Sequence, residues 1–124
     1  MVIEKLAILG LDEHGRRHGL SYAELAESVR CCTNALRQEG VGPGDRVVGY
    51  IANIPEAVVF ALAAAALGAV WSGTSPDFGV TGVLERFSQI GPKVLVSVNA
   101  VYYNGKTHDH LEKLEQVIQG KNFD

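Results

Sequence analysis

With 124 residues and 47% hydrophobic content, the chain has the size and composition of one globular domain rather than of a disordered segment. Eleven basic residues against fourteen acidic ones leave a formal charge of -3, too weak a field to draw in nucleic acid or an anionic bilayer. The adjacent Cys31 and Cys32 fit neither a disulfide framework nor metal-ligand spacing and suit a reducing, cytoplasmic compartment.

Leu6 to Leu11 and Arg16 to Leu20 flank the polar turn Asp12-Glu13-His14-Gly15, which predicts a β-hairpin over 6–20. Ser21 and Glu24 form a capping box ahead of apolar residues at 22, 25, 26, 29 and 36. An amphipathic helix over about 21–39 follows, with Glu27 and Arg30 on its wet side. Gly40-Val41-Gly42-Pro43-Gly44-Asp45 ends it. Val47 to Ile51 is then nearly continuous in apolar residues, the pattern of a strand covered on both faces in a parallel sheet.

Asn53-Ile54-Pro55-Glu56 opens a second helix, Ala57 to Leu67, with no polar face, which predicts that protein surrounds it. The apolar run to Trp71 is interrupted by Gly68 and falls short of the roughly 20 residues that span a bilayer. The N-terminus carries Glu4 and Lys5 rather than a secretion signal. A short strand at Ala69 to Ser72 leads through a loop to a helix at 79 or 80 to 90, stopped by Gly91-Pro92-Lys93. Val94 to Val98 is another strand, followed by a tyrosine-bearing loop and a last helix starting at Asp109, with Glu112 completing its box.

The fold class expected is therefore α/β: a partial doubly wound, mainly parallel sheet with flanking helices, preceded by an N-terminal β-hairpin. The βαβαβα unit covers 46–119, and helical crossovers of this length demand parallel neighbours. Three short strands would leave two sheet edges open to self-association. Residues 1–124 are thus expected to be the N-terminal portion of a larger domain.

The run Gly40-x-Gly42-x-Gly44 lies between a helix and a strand, the reverse of the order a dinucleotide fingerprint requires, and reads as a tight connection. His108 and His110 lie two residues apart and share no helical face, so neither is read as a metal ligand and both are expected in solvent. His14 and His18 are expected to face water at the hairpin. Cys31 and Cys32 sit mid-helix, away from a thiol-activating N-terminus, and read as packing residues.

Two loops carry more promise. The stretch 72–79, Ser-Gly-Thr-Ser-Pro-Asp-Phe-Gly, follows a parallel strand and runs into a helix N-terminus whose amides can hold phosphate. Asp77 or Ser75 can equally serve as that helix's cap. Tyr102-Tyr103-Asn104-Gly105-Lys106 follows the next strand at the same sheet edge, with Asn104-Gly105 as a turn and Lys106 as a mobile cation.

The frame Leu20-Ser21-Tyr22-x-Glu24-Leu25, Gly42-x-Gly44-Asp45-Arg46-Val47, Asn53-x-Pro55-Glu56 and Leu67-Gly68-Ala69-Val70 resembles the N-terminal part of the adenylate-forming acyl-CoA synthetases. Ser75 to Val80, Gly82-Val83-Leu84-x-Arg86-Phe87, Ile90 with Pro92-Lys93, and Tyr103-Asn104-Gly105-Lys106 resemble the acetoacetate-activating branch of that family. The resemblance runs from about Ala7 to Gly120. Gly73 and Ala52 depart from it, standing where relatives carry serine and proline.

That resemblance implies an ATP-dependent ligase joining acetoacetate to CoA, by adenylation of the acid with release of pyrophosphate and attack of the CoA thiol on the acyl-adenylate. ATP, CoA and magnesium are the cofactors it implies, the metal neutralising polyphosphate charge. The family's phosphate loop, ribose-binding acid, downstream arginine and C-terminal-domain lysine correspond to no residue here. The chain alone is therefore expected to be inactive, with no catalytic residue and no metal ligand. Phe78, Gly79 and Lys106 are the carried-over candidate CoA contacts. The readings set beside this one are an acetyl- or propionyl-type short-chain synthetase segment and a non-enzymatic α/β interaction module. No nucleic-acid or membrane partner is expected.

Overall fold

The structure, a computed structural model, describes residues 5–98, 100–103 and 106–120, with backbone alone for 100–103 and 106–108. Strands β1 (Leu6–Leu11) and β2 (Arg17–Ser21) pair antiparallel as the expected hairpin. Asp12 organises its turn by accepting from the amides of His14 and Arg16, each at 2.9 Å. Helix α1 (Tyr22–Gln38) starts at the capping box, with Glu24 N donating to Ser21 Oγ at 3.1 Å and Ser21 N donating to Glu24 Oε1 at 3.0 Å. Those two reciprocal bonds satisfy donors that a helix start otherwise leaves open.

Strands β3 (Arg46–Tyr50), β4 (Val70–Thr74) and β5 (Val94–Ser97) form a parallel sheet in the order β4-β3-β5. The central strand is nearly all buried, which explains its continuous apolar run. Alternation sends its residues to two cores. Val47 packs with Leu36, Val41, Ala63 and Ala64 under α1 and α2 (Pro55–Ala66). Val48 and Tyr50 pack with Val83, Phe87 and Val117 under α3 (Val80–Ile90) and α4 (Leu111–Gly120). The crossovers through α2 and α3 thus lie on opposite faces, a doubly wound arrangement. Burying a side chain such as Phe87 completely contributes about 2–3 kcal/mol. Gly49 is required by close approach, since a Cβ there would lie 2.5 Å from Trp71 Cη2.

Four expectations need correction. Helix α2 is not surrounded by protein within this chain: Val58 and Leu62 remain 41% and 43% exposed, because α1 and the sheet cover only part of its circumference. The tyrosine-bearing loop contains strands β6 (Ala100–Tyr103) and β7 (Lys106–Asp109), paired antiparallel. The Asn104-Gly105 turn falls outside the described residues. Helix α4 begins at Leu111, whose amide donates to Asp109 Oδ1 at 2.9 Å. Cys31 is exposed rather than packed, while Cys32 lies half-buried against the first core.

Candidate functional site at the carboxyl edge of the parallel sheet

Parallel strands bring Tyr50, Thr74 and Ser97 into register at one edge, with Tyr50 opposite both neighbours. The chain leaves β4 there into residues 75–79 and leaves β5 there toward the β6–β7 hairpin. Two neighbouring strands are separated by about 4.8 Å, so the two exits stand roughly 10 Å apart across β3. Such an edge, at a point where the strand order reverses, is where open α/β sheets collect ligands.

The loop 75–79 is held from beneath. Tyr50 Oη donates to the Phe78 carbonyl at 2.6 Å, and Lys113 Nζ donates to the Pro76 carbonyl at 3.1 Å. Burial and the nearby Asp77 charge push the Tyr50 hydroxyl above the usual phenol range, so it stays protonated and a donor. Phe78 is 47% exposed. Gly79 is the N-cap of α3 with extended φ and ψ, and a Cβ there would meet nothing within 4 Å.

No side chain caps α3, and its first turn carries no acidic residue. Neither Asp77 nor Ser75 performs the capping expected of it, since Ser75 Oγ accepts from the Asp77 amide at 3.3 Å instead. The opening amides of α3 therefore keep their donor capacity and the positive end of the helix dipole.

His110 overturns the expectation of a solvent-exposed histidine: it is 2% exposed and stands edge-on to Tyr50, with ring centroids 4.4 Å apart. Its Nε2 and the Oγ1 of Thr74, itself 4% exposed, are buried without a hydrogen-bond partner. Burial lowers the His110 pKa, the Lys113 charge adds to the shift and the Asp109 charge opposes it. Lys106 opens β7 opposite Tyr103.

At this edge sequence reasoning passes over Tyr50 and Lys113 and reads His110 as solvent-exposed, while Thr74 lies within the singled-out stretch 72–79. One signal was present: Tyr50 is a polar-tipped ring closing an otherwise apolar strand. His110 and Lys113 are also three apart, on one helical face. Among the described residues no group of histidine, cysteine, aspartate or glutamate side chains could hold a metal ion. No helix among them is long and apolar enough to cross a membrane. An open groove of about 820 Å³ between α1 and α2 is lined by Tyr22, Leu25, Val29 and Leu62 together with Arg30 and Arg37. Its lining is mostly apolar, as expected of a packing surface left uncovered.

Among the described residues, the opposite end of the sheet holds no buried side-chain polar atom without a partner. There Gly42 N donates to Asp45 Oδ2 at 2.8 Å, Lys93 Nζ donates to the Gly40 carbonyl at 2.8 Å, and Arg46 Nη2 donates to the Gly91 carbonyl at 2.8 Å. The run at 40–44 is the tight helix-to-strand connection its sequence implies, with Gly40 and Gly44 at φ 86° and 80°.

The sheet order β4-β3-β5, with crossover helices on both faces, defines an open, doubly wound α/β architecture. The chain matches the family of AMP-binding enzymes over residues 3–122, and it belongs to that family. It is 57% identical over 101 residues to acetoacetyl-CoA synthetase of Macaca fascicularis, covering 82% of this chain and 15% of that protein. It is 44% identical over 115 residues to malonamoyl-CoA synthetase vrtB of Penicillium aethiopicum, covering 93% of this chain and 16% of that protein. The solved acetoacetyl-CoA synthetase from Streptomyces lividans superposes with a TM-score of 0.91 at 43% identity, over 94% of this chain and 18% of that one. The chain thus spans less than a fifth of the length of these relatives.

Proposed function

We propose that this chain is the N-terminal segment of an ATP-dependent acid–thiol ligase that joins a β-carbonyl carboxylate, acetoacetate in the first instance, to CoA, and that the segment alone does not turn over. The relatives named for acetoacetyl- and malonamoyl-CoA act, by those names, on acids sharing a carbonyl at C3. That shared chemistry favours a β-carbonyl acid over acetate or propionate. ATP and magnesium would be held by parts of the ligase other than this segment. Magnesium would supply neutralisation of polyphosphate charge.

The segment's own contribution is one wall of the CoA site, at Phe78, Gly79 and Lys106. The observation that carries this reading is the uncapped start of α3, where Gly79 leaves the backbone open to approach. Amides of that first turn suit a phosphate of CoA, Phe78 offers apolar surface for its base or pantetheine arm, and Lys106 supplies a cation for a second phosphate.

In the full-length ligase carrying this segment, Lys106→Ala should raise the CoA requirement and leave acetoacetate-dependent pyrophosphate exchange nearly unaltered. Collapse of pyrophosphate exchange with an unaltered CoA requirement would overturn the assignment. The 124-residue chain by itself should release no AMP above blank with acetoacetate, ATP and CoA. Its open edges at β4 and β5 and the exposed apolar residues of α2 also support self-association of the isolated segment. Light scattering that shows a strictly monomeric chain would remove that part of the reading.

A further inference from the structure

We propose that Tyr50, His110 and Lys113 are positioning residues that lock the 75–79 loop in the arrangement that meets CoA, with Tyr50 and Lys113 holding the loop and His110 packing against the Tyr50 ring. The inference rests on the CoA reading above and adds the residues that hold the loop in place.

Tyr50 is the shared piece. It ends the central strand, so it touches both exits, and it is fully buried. Its hydroxyl fixes the Phe78 carbonyl at 2.6 Å. Its backbone carbonyl accepts from Ser97 Oγ at 2.5 Å, at the end of the strand that leads into the hairpin. Its ring receives the edge of His110, 4.4 Å away at 67°. His110 is the joint between β7 and α4, directly after the strand that Lys106 opens, and its carbonyl accepts from the Leu114 amide at 3.0 Å. One turn further, Lys113 crosses from α4 to the Pro76 carbonyl. The loop is therefore gripped at two carbonyls, Pro76 from α4 and Phe78 from β3, while His110 packs edge-on against the Tyr50 ring that makes the second grip.

This grip has a chemical consequence. With the carbonyls of Pro76 and Phe78 turned toward protein donors, the loop does not offer those oxygens to an anionic ligand at the start of α3. An unpinned loop would have to be ordered at the moment of binding, and that entropy would weaken CoA without touching the adenylation step.

The test uses the full-length ligase that carries this segment, with Tyr50→Phe, which deletes one hydroxyl and keeps the buried ring. Lys113→Met and Lys113→Arg form a second, surface-reached pair. We expect Tyr50→Phe and Lys113→Met each to raise the apparent KM for CoA about five- to tenfold, the size of one lost net hydrogen bond. Acetoacetate-dependent pyrophosphate exchange should hold, and Lys113→Arg should restore the CoA requirement. Amide hydrogen exchange should quicken at 75–79 in both weakened variants. A raised CoA requirement with unchanged exchange at 75–79 overturns the lock and leaves the CoA assignment standing. Faster exchange there with an unaltered CoA requirement overturns the CoA assignment and leaves the lock standing. Loss of pyrophosphate exchange in step with the CoA effect overturns the positioning role, because it marks general damage to the fold.

Discussion

The two ends of the same three-stranded sheet solve their polar accounting differently. At the amino end, Arg46 donates to the carbonyls of Ile90, Gly91 and Gly44, and Asp45 and Lys93 close the 40–44 turn between them. Donors and acceptors there are spent on one another, and left-handed glycines at 40, 44, 68 and 91 let the chain turn tightly enough to do so. At the carboxyl end, Thr74 Oγ1 and His110 Nε2 stay buried without partners and α3 starts without a cap. Buried polar groups in folded proteins are nearly always satisfied. The two ends therefore differ in how fully the chain satisfies its own polar groups.

The contrast can be broken by substitution. Gly49 lies between the two ends on the central strand, and Gly49→Ala drives a methyl into the Trp71 indole at 2.5 Å. A loss of about 2–3 kcal/mol, measured by urea unfolding, is expected from such overpacking. At the closed end, Arg46→Met should cost about 2 kcal/mol through lost bonds from a charged donor, with no change in the CoA requirement of the full-length ligase. If CoA dependence shifts instead, the closed end is not purely structural.

At the open end the expected signature is a pH dependence. Burial depresses the His110 pKa below the ordinary 6.5, so the folded state prefers the neutral ring. The stability this contributes is present above pH 6.5 and drains away as pH falls through the depressed folded value. Urea midpoints should therefore drop on acidification below 6.5, and His110→Gln should flatten that part of the profile. An unchanged profile would mean that the buried imidazole is not what acid acts on.

The smallest effect is the most discriminating. Gly79→Ser places a capping hydroxyl on extended backbone where α3 lacks one, and should stabilise by a few tenths of a kcal/mol. The same hydroxyl would occupy the amides assigned to CoA, so the stabler ligase should need more CoA. A gain in stability with no rise in CoA requirement would argue that those amides bind nothing.

Elements with local signals were legible in the sequence. The Ser21–Glu24 box, the glycines at 40–44 and Gly91 each act within a few residues, and the structure repeats them. Features set by distant partners were not. Burial of His110 comes from Tyr50 on another element, while its local setting resembles any polar helix start. The apolar pattern of α2 announces burial without naming what covers it, and here part of it stays uncovered. For β6 and β7 a signal existed, since Asn104-Gly105 between Val101-Tyr102-Tyr103 and Lys106-Thr107-His108 is a hairpin pattern. Its flanking strands were not recognised, and the Asn104-Gly105 turn lies outside the described residues. The loops carrying Phe78, Gly79 and Lys106 were legible from their place after parallel strands, and their CoA role came from family likeness. The hydrogen bonds of Tyr50 and Lys113 to the 75–79 loop needed three dimensions.

The most direct test of the difference between the ends is amide hydrogen exchange on the full-length ligase with and without CoA. Slower exchange at 75–82 on adding CoA, with 40–46 unmoved, is the result this account predicts. Protection that appears at 40–46, or equally at both ends, would contradict it.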